Sequence, residues 1–208
     1  MEQVAAIANE YAAKQQAKKI EQRQTQSNDV TTTDGGIHTN DATTVRQYFS
    51  YYAKLANQQN MLQDTVRTPC YRDAILKNPS NFQGKVVMDV GCGSGILSLF
   101  AAQAGAKKVY ACEASDAAEI ARTLVKHNGF ENVVTVIQAK VEDIGPEQIP
   151  FKSIDTIVSE PLGTFLLNER MIETYVIARD KFLKPEGGRL FPSKADLFIM
   201  PFTDDLVY

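Results

Sequence analysis

Three features of this sequence could do chemistry by residue type and spacing. The first is Asp89-Val90-Gly91-Cys92-Gly93-Ser94-Gly95, set between an apolar run at Val86–Val90 and another beginning at Ile96. Closely spaced glycines between a strand and a helix let the backbone turn sharply and approach a ligand. The nicotinamide fingerprint G-x-G-x-x-G is not met, because its third glycine falls one residue early and Ile96 stands in its place. No G-K-[ST] follows, so the phosphate loop of nucleotide triphosphatases is absent too. The second feature is Glu113, 22 residues after Gly91, at the end of the next apolar run. An acid there is placed to accept hydrogen bonds from ribose hydroxyls. Alone, each feature is also compatible with a tight turn or an exposed strand-end charge. Together they favour a nucleoside-containing ligand.

A third feature is a carboxylate pair, Glu160 and Glu169, separated by a short loop after an apolar run. A guanidinium is planar and carries five donors, so two carboxylates can hold it from two sides by charge-assisted hydrogen bonds. Taken singly, each is equally a solvated carboxylate, and Glu169 would open a helix, where a negative charge is stabilising. Other chemistry is weakly represented. His38 and His127 lie far apart, and Cys70, Cys92 and Cys112 match no zinc spacing, so no metal site is expected. The odd cysteine count suits reduced thiols.

These residues need elements to position them. Val45, Tyr48, Phe49, Tyr52, Leu55 and Ala56 recur at helical spacing, which predicts an amphipathic helix from Thr43 or Thr44 with an aromatic face. A second helical stretch is expected at about 59–67. A third should open at Pro69, with Thr68 as its cap, and run to about Lys77. Strands and helices then alternate: strand Val86–Val90, helix Ile96–Ala104, strand Val109–Glu113, helix Asp116–Asn128, strand Val133–Ala139, strand Ile154–Ser159, helix Glu169–Leu183, and strand segments at Arg189–Phe191 and Leu197–Met200. That order implies an α/β fold with a mostly parallel sheet covered by helices on both faces. Residues 2–24 carry a short apolar stripe and a marginal helix. Residues 25–42 are too polar to bury a core and suit a disordered linker. The expected division is 1–44 as appendage, 45–80 as N-terminal lid helices and 81–208 as the Rossmann-like domain.

Composition narrows the partners. The chain has 208 residues, 44% of them hydrophobic, with a net charge of −3. That is enough apolar material for one sizeable core, and it does not suggest nucleic acid as a direct partner. No apolar run reaches the length of a membrane span, and the N-terminal residues lack the apolar stretch of a secretory signal, so a soluble intracellular protein is the expectation.

The D-V-G-x-G-x-G run with its acid at the second strand end resembles class I methyltransferases dependent on S-adenosylmethionine (AdoMet). Ser159-Glu160-Pro161-Leu162-Gly163-Thr164-Phe165-Leu166-Leu167-Asn168-Glu169-Arg170-Met171 resembles the double-E loop of protein arginine methyltransferases. Tyr48-Phe49-Ser50-Tyr51-Tyr52, continuing through Gln58-Gln59-Asn60-Met61-Leu62-Gln63-Asp64 to Val66-Arg67-Thr68, resembles that family's cofactor lid. The form of both segments is similar to the type I, coactivator-associated branch, and the resemblance covers residues 45–208.

The resemblance implies that Glu160 and Glu169 are the catalytic, substrate-holding pair. Gly91, Gly93 and Glu113 would bind the cofactor. Arg67 would meet its methionyl carboxylate, and Phe49, Tyr52 and Gln58 would cover it. Glu142 would receive the adenine amino group, with Thr174 nearby. Met61 and Met171 would flank the arginine pocket and imply asymmetric dimethylation of histones or RNA-binding proteins in nucleus and cytoplasm, by an enzyme that is a homodimer at full length. Thr164 replaces an aromatic residue common at that place. Family members continue into a β-barrel that supplies a Thr-His-Trp loop, whose histidine would pair with Asp64. No Trp occurs in this sequence, so the pocket is expected to lack one wall and the chain to bind cofactor better than it turns over. Two alternatives stay open: an incomplete paralogue that binds AdoMet or a partner subunit, and a class I methyltransferase of a small molecule.

Overall fold

The computed structural model describes residues 42–203, and the contacts below lie within the compact unit Arg46–Tyr208. The expected appendage helix at 2–24 and linker at 25–42 lie outside the described residues, except for Ala42, which is the first residue of a helix. Helices α1 (Ala42–Tyr52), α2 (Leu55–Gln63), α3 (Arg67–Leu76) and α4 (Pro79–Phe82) come first. Then follow β1 (Val86–Val90), α5 (Ile96–Gln103), β2 (Lys108–Glu113), α6 (Ala117–His127), β3 (Val134–Gln138), a 3-10 turn (Val141–Asp143), β4 (Thr156–Ser159), α7 (Met171–Phe182) and β5 (Arg189–Phe191).

The five strands are all parallel, in the order β3-β2-β1-β4-β5. The fold class expected from the alternation is therefore the one observed. Strand order reverses between β1 and β4, and ligands of such sheets bind in the crevice outside the strand ends at that reversal. The sheet has a core on each face. Val87, Val109, Ala111, Val134 and Val158 pack with Ile75, Phe82, Leu97, Ala101, Ala121 and Val125 on one side. Met88, Val90, Cys112 and Ile157 pack with Tyr175, Ala178 and Phe182 of α7 on the other. Alternation along the strands sends successive side chains to opposite layers, and the helices supply apolar cover to both.

Several boundaries differ from expectation, the first of them for local polar reasons. The helix expected from Val45 to Ala56 is two helices, broken at Ala53-Lys54, with Lys54 extended (φ −78°, ψ 128°). There the side-chain amides of Asn57 and Gln58 donate to the carbonyls of Tyr51 and Tyr52, at 2.7 and 2.8 Å, and so stand in for the next turn's N–H groups. The second stretch is accordingly Leu55–Gln63 rather than 59–67. Helix α3 begins at Arg67, not Pro69, because Asp64 Oδ1 accepts the N–H groups of Val66 (2.9 Å) and Arg67 (2.8 Å). Thr68 is no cap; its hydroxyl donates to the Met61 carbonyl at 2.8 Å. Helix α7 starts at Met171, which leaves Glu169 outside it. Ile154 is an isolated bridge to Leu183, and β4 proper starts at Thr156. Leu197–Met200 is not a strand: it has no regular structure and is exposed.

At the centre of β1, Asp89 is wholly buried. Its Oδ2 accepts the Ser98 hydroxyl of α5 at 2.7 Å, while Oδ1 has no partner among the described residues. Burial pushes its pKa up to about 7 against an ordinary 3.8. A raised native pKa means that the native state keeps its proton while the unfolded chain has lost it. Asp89 thus costs stability increasingly as pH rises from about 4 to 7, by a few kcal/mol in all. In urea titrations across that range, Asp89→Asn should remove this fall, flattening the profile relative to the wild type. Parallel profiles would mean that Asp89 does not titrate there.

Candidate functional site

The glycine loop leaves β1 and bends back over the end of β2. Gly91, Gly93 and Gly95 have φ of 70°, 52° and 84°, in the left-handed region that favours glycine. Every backbone N–H from Gly91 to Gly95 has an acceptor inside the protein. Those of Gly91 and Cys92 both donate to the Cys112 carbonyl at 2.9 Å, and that of Gly95 to the Cys92 carbonyl at 2.7 Å. The Gly93 N–H donates to Glu113 Oε2 at 2.8 Å. The Ser94 N–H donates to Gln58 Oε1 at 2.9 Å. A loop whose donors are already engaged is not a phosphate cradle, which works by presenting N–H groups to an anion. It suits a ligand without phosphate.

Glu113 is buried, and its second oxygen accepts the Ser115 N–H at 2.8 Å. The carboxylate thus ties the loop to the turn after β2, with lone pairs remaining for further donors such as ribose hydroxyls. Gln58 is buried with both ends of its amide in use, to the Tyr52 carbonyl and the Ser94 N–H. It fastens the α1–α2 elbow to the loop. A Cβ on Gly93 would lie 2.7 Å from Gln58 Oε1, and one on Gly91 would lie 2.7 Å from Met171 Cε. Glycine at these two places is what lets the lid and α7 close on the loop.

The carboxylate pair sits after β4. Glu160 Oε2 accepts from Arg67 Nη2 at 2.8 Å, both side chains being about a quarter exposed. Glu169 Oε2 accepts from two hydroxyls, Tyr52 at 2.8 Å and Tyr48 at 3.1 Å. Among the described residues, one oxygen of each carboxylate is left over as an acceptor. Burial, and after it the Glu169 carboxylate, push both tyrosine hydroxyls above their ordinary range, so they donate at neutral pH. The Tyr48 and Tyr52 rings also pack together, with centroids 4.8 Å apart.

The intervening loop is a tight hairpin in which the Leu166 N–H donates to the Gly163 carbonyl at 2.8 Å. A Cβ on Gly163 would fall on Asn168 and lie 2.8 Å from Cγ of Glu169. Phe165, Leu166 and Arg170 all have positive φ (52°, 64° and 58°), a conformation costing a non-glycine residue about 1–3 kcal/mol and concentrated at functional sites.

The remaining candidates are spread around this centre. Glu142 Oε1 accepts the Thr174 hydroxyl at 2.6 Å, and Lys181 donates to the Glu142 carbonyl. Phe49 is half-buried, with the Lys140 ammonium 5.9 Å from its ring centroid. Met61 is half-buried on α2, and its carbonyl accepts the Thr68 hydroxyl. Asp64, expected to pair with a histidine of the barrel, serves here to cap α3. Arg67, expected at a cofactor carboxylate, meets Glu160 instead. Tyr48 was not among the candidates, although its position four residues before Tyr52 places both hydroxyls on one helix face. All three cysteines are free, and no cluster of His, Cys, Asp or Glu among the described residues could hold a metal ion. Among the same residues no helix is long and apolar enough to cross a membrane.

A parallel sheet of this order, with such a loop and an acid at the second strand end, defines the methyltransferase class, and comparison with known proteins agrees. The family model for ribosomal protein L11 methyltransferase (PrmA) matches residues 74–182, just over half of the chain. The chain therefore belongs to that methyltransferase family, and it is similar to part of several protein arginine methyltransferases. It is 53% identical over 169 residues to "Probable histone-arginine methyltransferase 1.3" of Arabidopsis thaliana, covering 81% of this chain and 31% of that protein. It is 54% identical over 162 residues to "Histone-arginine methyltransferase CARMER" of Drosophila grimshawi, covering 78% and 29%. The chain thus spans about a third of the length of these relatives. Among solved structures, protein arginine methyltransferase 10 of Arabidopsis thaliana superposes with a TM-score of 0.64 at 49% identity, covering 67% of this chain and 39% of that one. The PRMT1 enzyme-prozyme heterotetrameric complex of Trypanosoma brucei with AdoHcy gives 0.62 at 48%, covering 68% and 43%.

The geometry makes Glu113 an anchor of the loop whatever ligand it serves. Without any ligand, Glu113→Ala should lower the unfolding free energy in urea by about 2–4 kcal/mol, because the N–H groups of buried Ser115 and half-buried Gly93 lose a carboxylate acceptor. Glu113→Gln, which keeps an acceptor oxygen, should lose less. An Ala variant as stable as the wild type would show that the carboxylate only serves a ligand.

Proposed function

We propose that this chain binds AdoMet at the glycine loop and directs its methyl group to a guanidinium nitrogen of arginine in a protein. The observation that carries the reading is the carboxylate pair. Glu160 and Glu169 are each held by a lid-helix partner at 2.8 Å, and each keeps an oxygen for a planar cation.

The residues present fit the cofactor. Its nucleoside carries no phosphate, and the loop N–H groups are already engaged. Glu113 offers lone pairs to ribose hydroxyls, Glu142 with Thr174 suits the adenine edge, and Arg67 suits a carboxylate. When bound, AdoMet supplies an electrophilic methyl on sulfonium.

The protein's own groups orient the acceptor. Glu160 and Glu169 would hold the guanidinium by paired hydrogen bonds and concentrate lone-pair density on the attacking nitrogen. They need not deprotonate free arginine, whose pKa is above 12. Tyr48 and Tyr52 fix the Glu169 carboxylate by holding one oxygen. The remaining oxygen of Glu169 would accept the proton that the nitrogen gives up on methylation and pass it to solvent. Met61 and Met171 would border the pocket and favour asymmetric dimethylarginine. By similarity to the histone-arginine relatives, the substrate is a histone and the setting is the nucleus, with RNA-binding proteins and the cytoplasm as extensions. The full-length protein would act as a homodimer.

The test joins calorimetry with AdoHcy to transfer of labelled methyl onto an arginine-rich histone peptide. The wild type should bind AdoHcy and form asymmetric dimethylarginine. Glu169→Gln should bind AdoHcy within about threefold of the wild type, yet lose about 100-fold in kcat/KM. Absence of AdoHcy binding, or transfer that survives Glu169→Gln unchanged, would sink the proposal.

A further inference from the structure

The two carboxylates of the pair are held by groups of different charge. Glu169 accepts from the hydroxyls of Tyr52 and Tyr48, which are neutral donors and bring it no positive charge. Glu160 is held by a cation, with Arg67 Nη2 lying 2.8 Å from its Oε2. A guanidinium and a carboxylate can share two parallel hydrogen bonds, and among the described residues this pair makes one. Both side chains keep about a quarter of their surface in water, so the pair is not locked in by burial. The Arg67 backbone, in contrast, is fixed, because Asp64 Oδ1 accepts its N–H at 2.8 Å where α3 begins. Only the side chain has to turn for Arg67 to change partner.

An incoming guanidinium therefore meets, at Glu160, a carboxylate that already has a cation beside it. Two like charges on one carboxylate repel each other, and the newcomer finds one oxygen in place of two. A ligand carboxylate that draws Arg67 away removes the repulsion and frees the second oxygen. We infer that Arg67 is a masking cation, which covers Glu160 until the carboxylate of the bound cofactor takes it and so makes tight binding of the acceptor arginine conditional on the cofactor. The inference rests on the AdoMet and guanidinium readings proposed above. The mask keeps arginine side chains from settling on a site that holds no methyl donor. Coupling between two ligands is reciprocal, so the acceptor strengthens cofactor binding by the same factor.

The experiment measures fluorescence anisotropy of a labelled peptide, Gly-Gly-Arg-Gly-Gly, with the full chain alone, saturated with AdoHcy, or saturated with methylthioadenosine. The last keeps the nucleoside and lacks the carboxylate. A peptide with citrulline at its centre is the uncharged control. In the wild type, AdoHcy should tighten the arginine peptide about tenfold, and methylthioadenosine by less than about twofold. Arg67→Gln, with no cofactor present, should bind the arginine peptide as tightly as the wild type does with AdoHcy, a gain that misfolding cannot produce. Equal tightening by both nucleosides, or an Arg67→Gln chain that binds no better than the cofactor-free wild type, would overturn the mask. If the wild type prefers arginine to citrulline but AdoHcy changes nothing, the mask alone falls and the guanidinium reading stands. If AdoHcy binds and arginine has no advantage over citrulline in any state, both fall.

Discussion

Two consecutive acceptors at the end of β2 hold the whole arrangement in place. The Cys112 carbonyl takes the N–H groups of Gly91 and Cys92, and the Glu113 carboxylate takes that of Gly93. A turn this tight points its backbone donors in toward the neighbouring strand, and a donor left unpaired there is costly. The end of the neighbouring strand supplies the acceptors, because β1 and β2 pair in parallel with Val90 opposite Cys112. Register, loop shape and the position of the acid are thus one constraint. A shift of β2 by a single residue would turn Glu113 to the other face and strand the loop.

The lid helices inherit their position from the same loop. Gln58 closes the remaining donor at Ser94 while its amide nitrogen ends α1 at Tyr52. That ending places the Tyr52 hydroxyl on Glu169, and the Tyr48 hydroxyl one turn earlier on the same oxygen. Arg67, set by the Asp64 cap at the start of α3, reaches Glu160. The lid therefore touches both the loop and the carboxylate pair. A displacement of the α1–α2 elbow would alter the two together, which gives a physical route by which the state of one site is felt at the other.

Strain and burial of charge gather at these same places, with Lys152 (φ 54°) the further left-handed non-glycine residue among those described. Asp89 lies buried under the glycine loop, and left-handed non-glycine residues cluster at 165, 166 and 170 beside the carboxylates. Both features cost stability, and the two well-packed layers on either side of the sheet offset them.

The amino-acid sequence by itself determined the parallel α/β architecture, the glycine loop, the acid at the end of β2 and the carboxylate pair after β4. Those are signals written in contiguous residues: apolar runs of strand length, glycines at a turn, an acid at a strand's end. What the tertiary structure decided is what each polar group touches. Asp64, which by resemblance would pair with a barrel histidine, is in this structure the cap that starts α3 two residues before Pro69. Gln58 sits on a helix of modest amphipathicity and turns out to break one helix and anchor the glycine loop. Arg67 and Tyr48 find Glu160 and Glu169 across 93 and 121 residues of chain. Such partners cannot be deduced from spacing, because a charge or hydroxyl is satisfied by whichever segment the packing brings within about 3 Å, and packing is settled by both layers of the core at once.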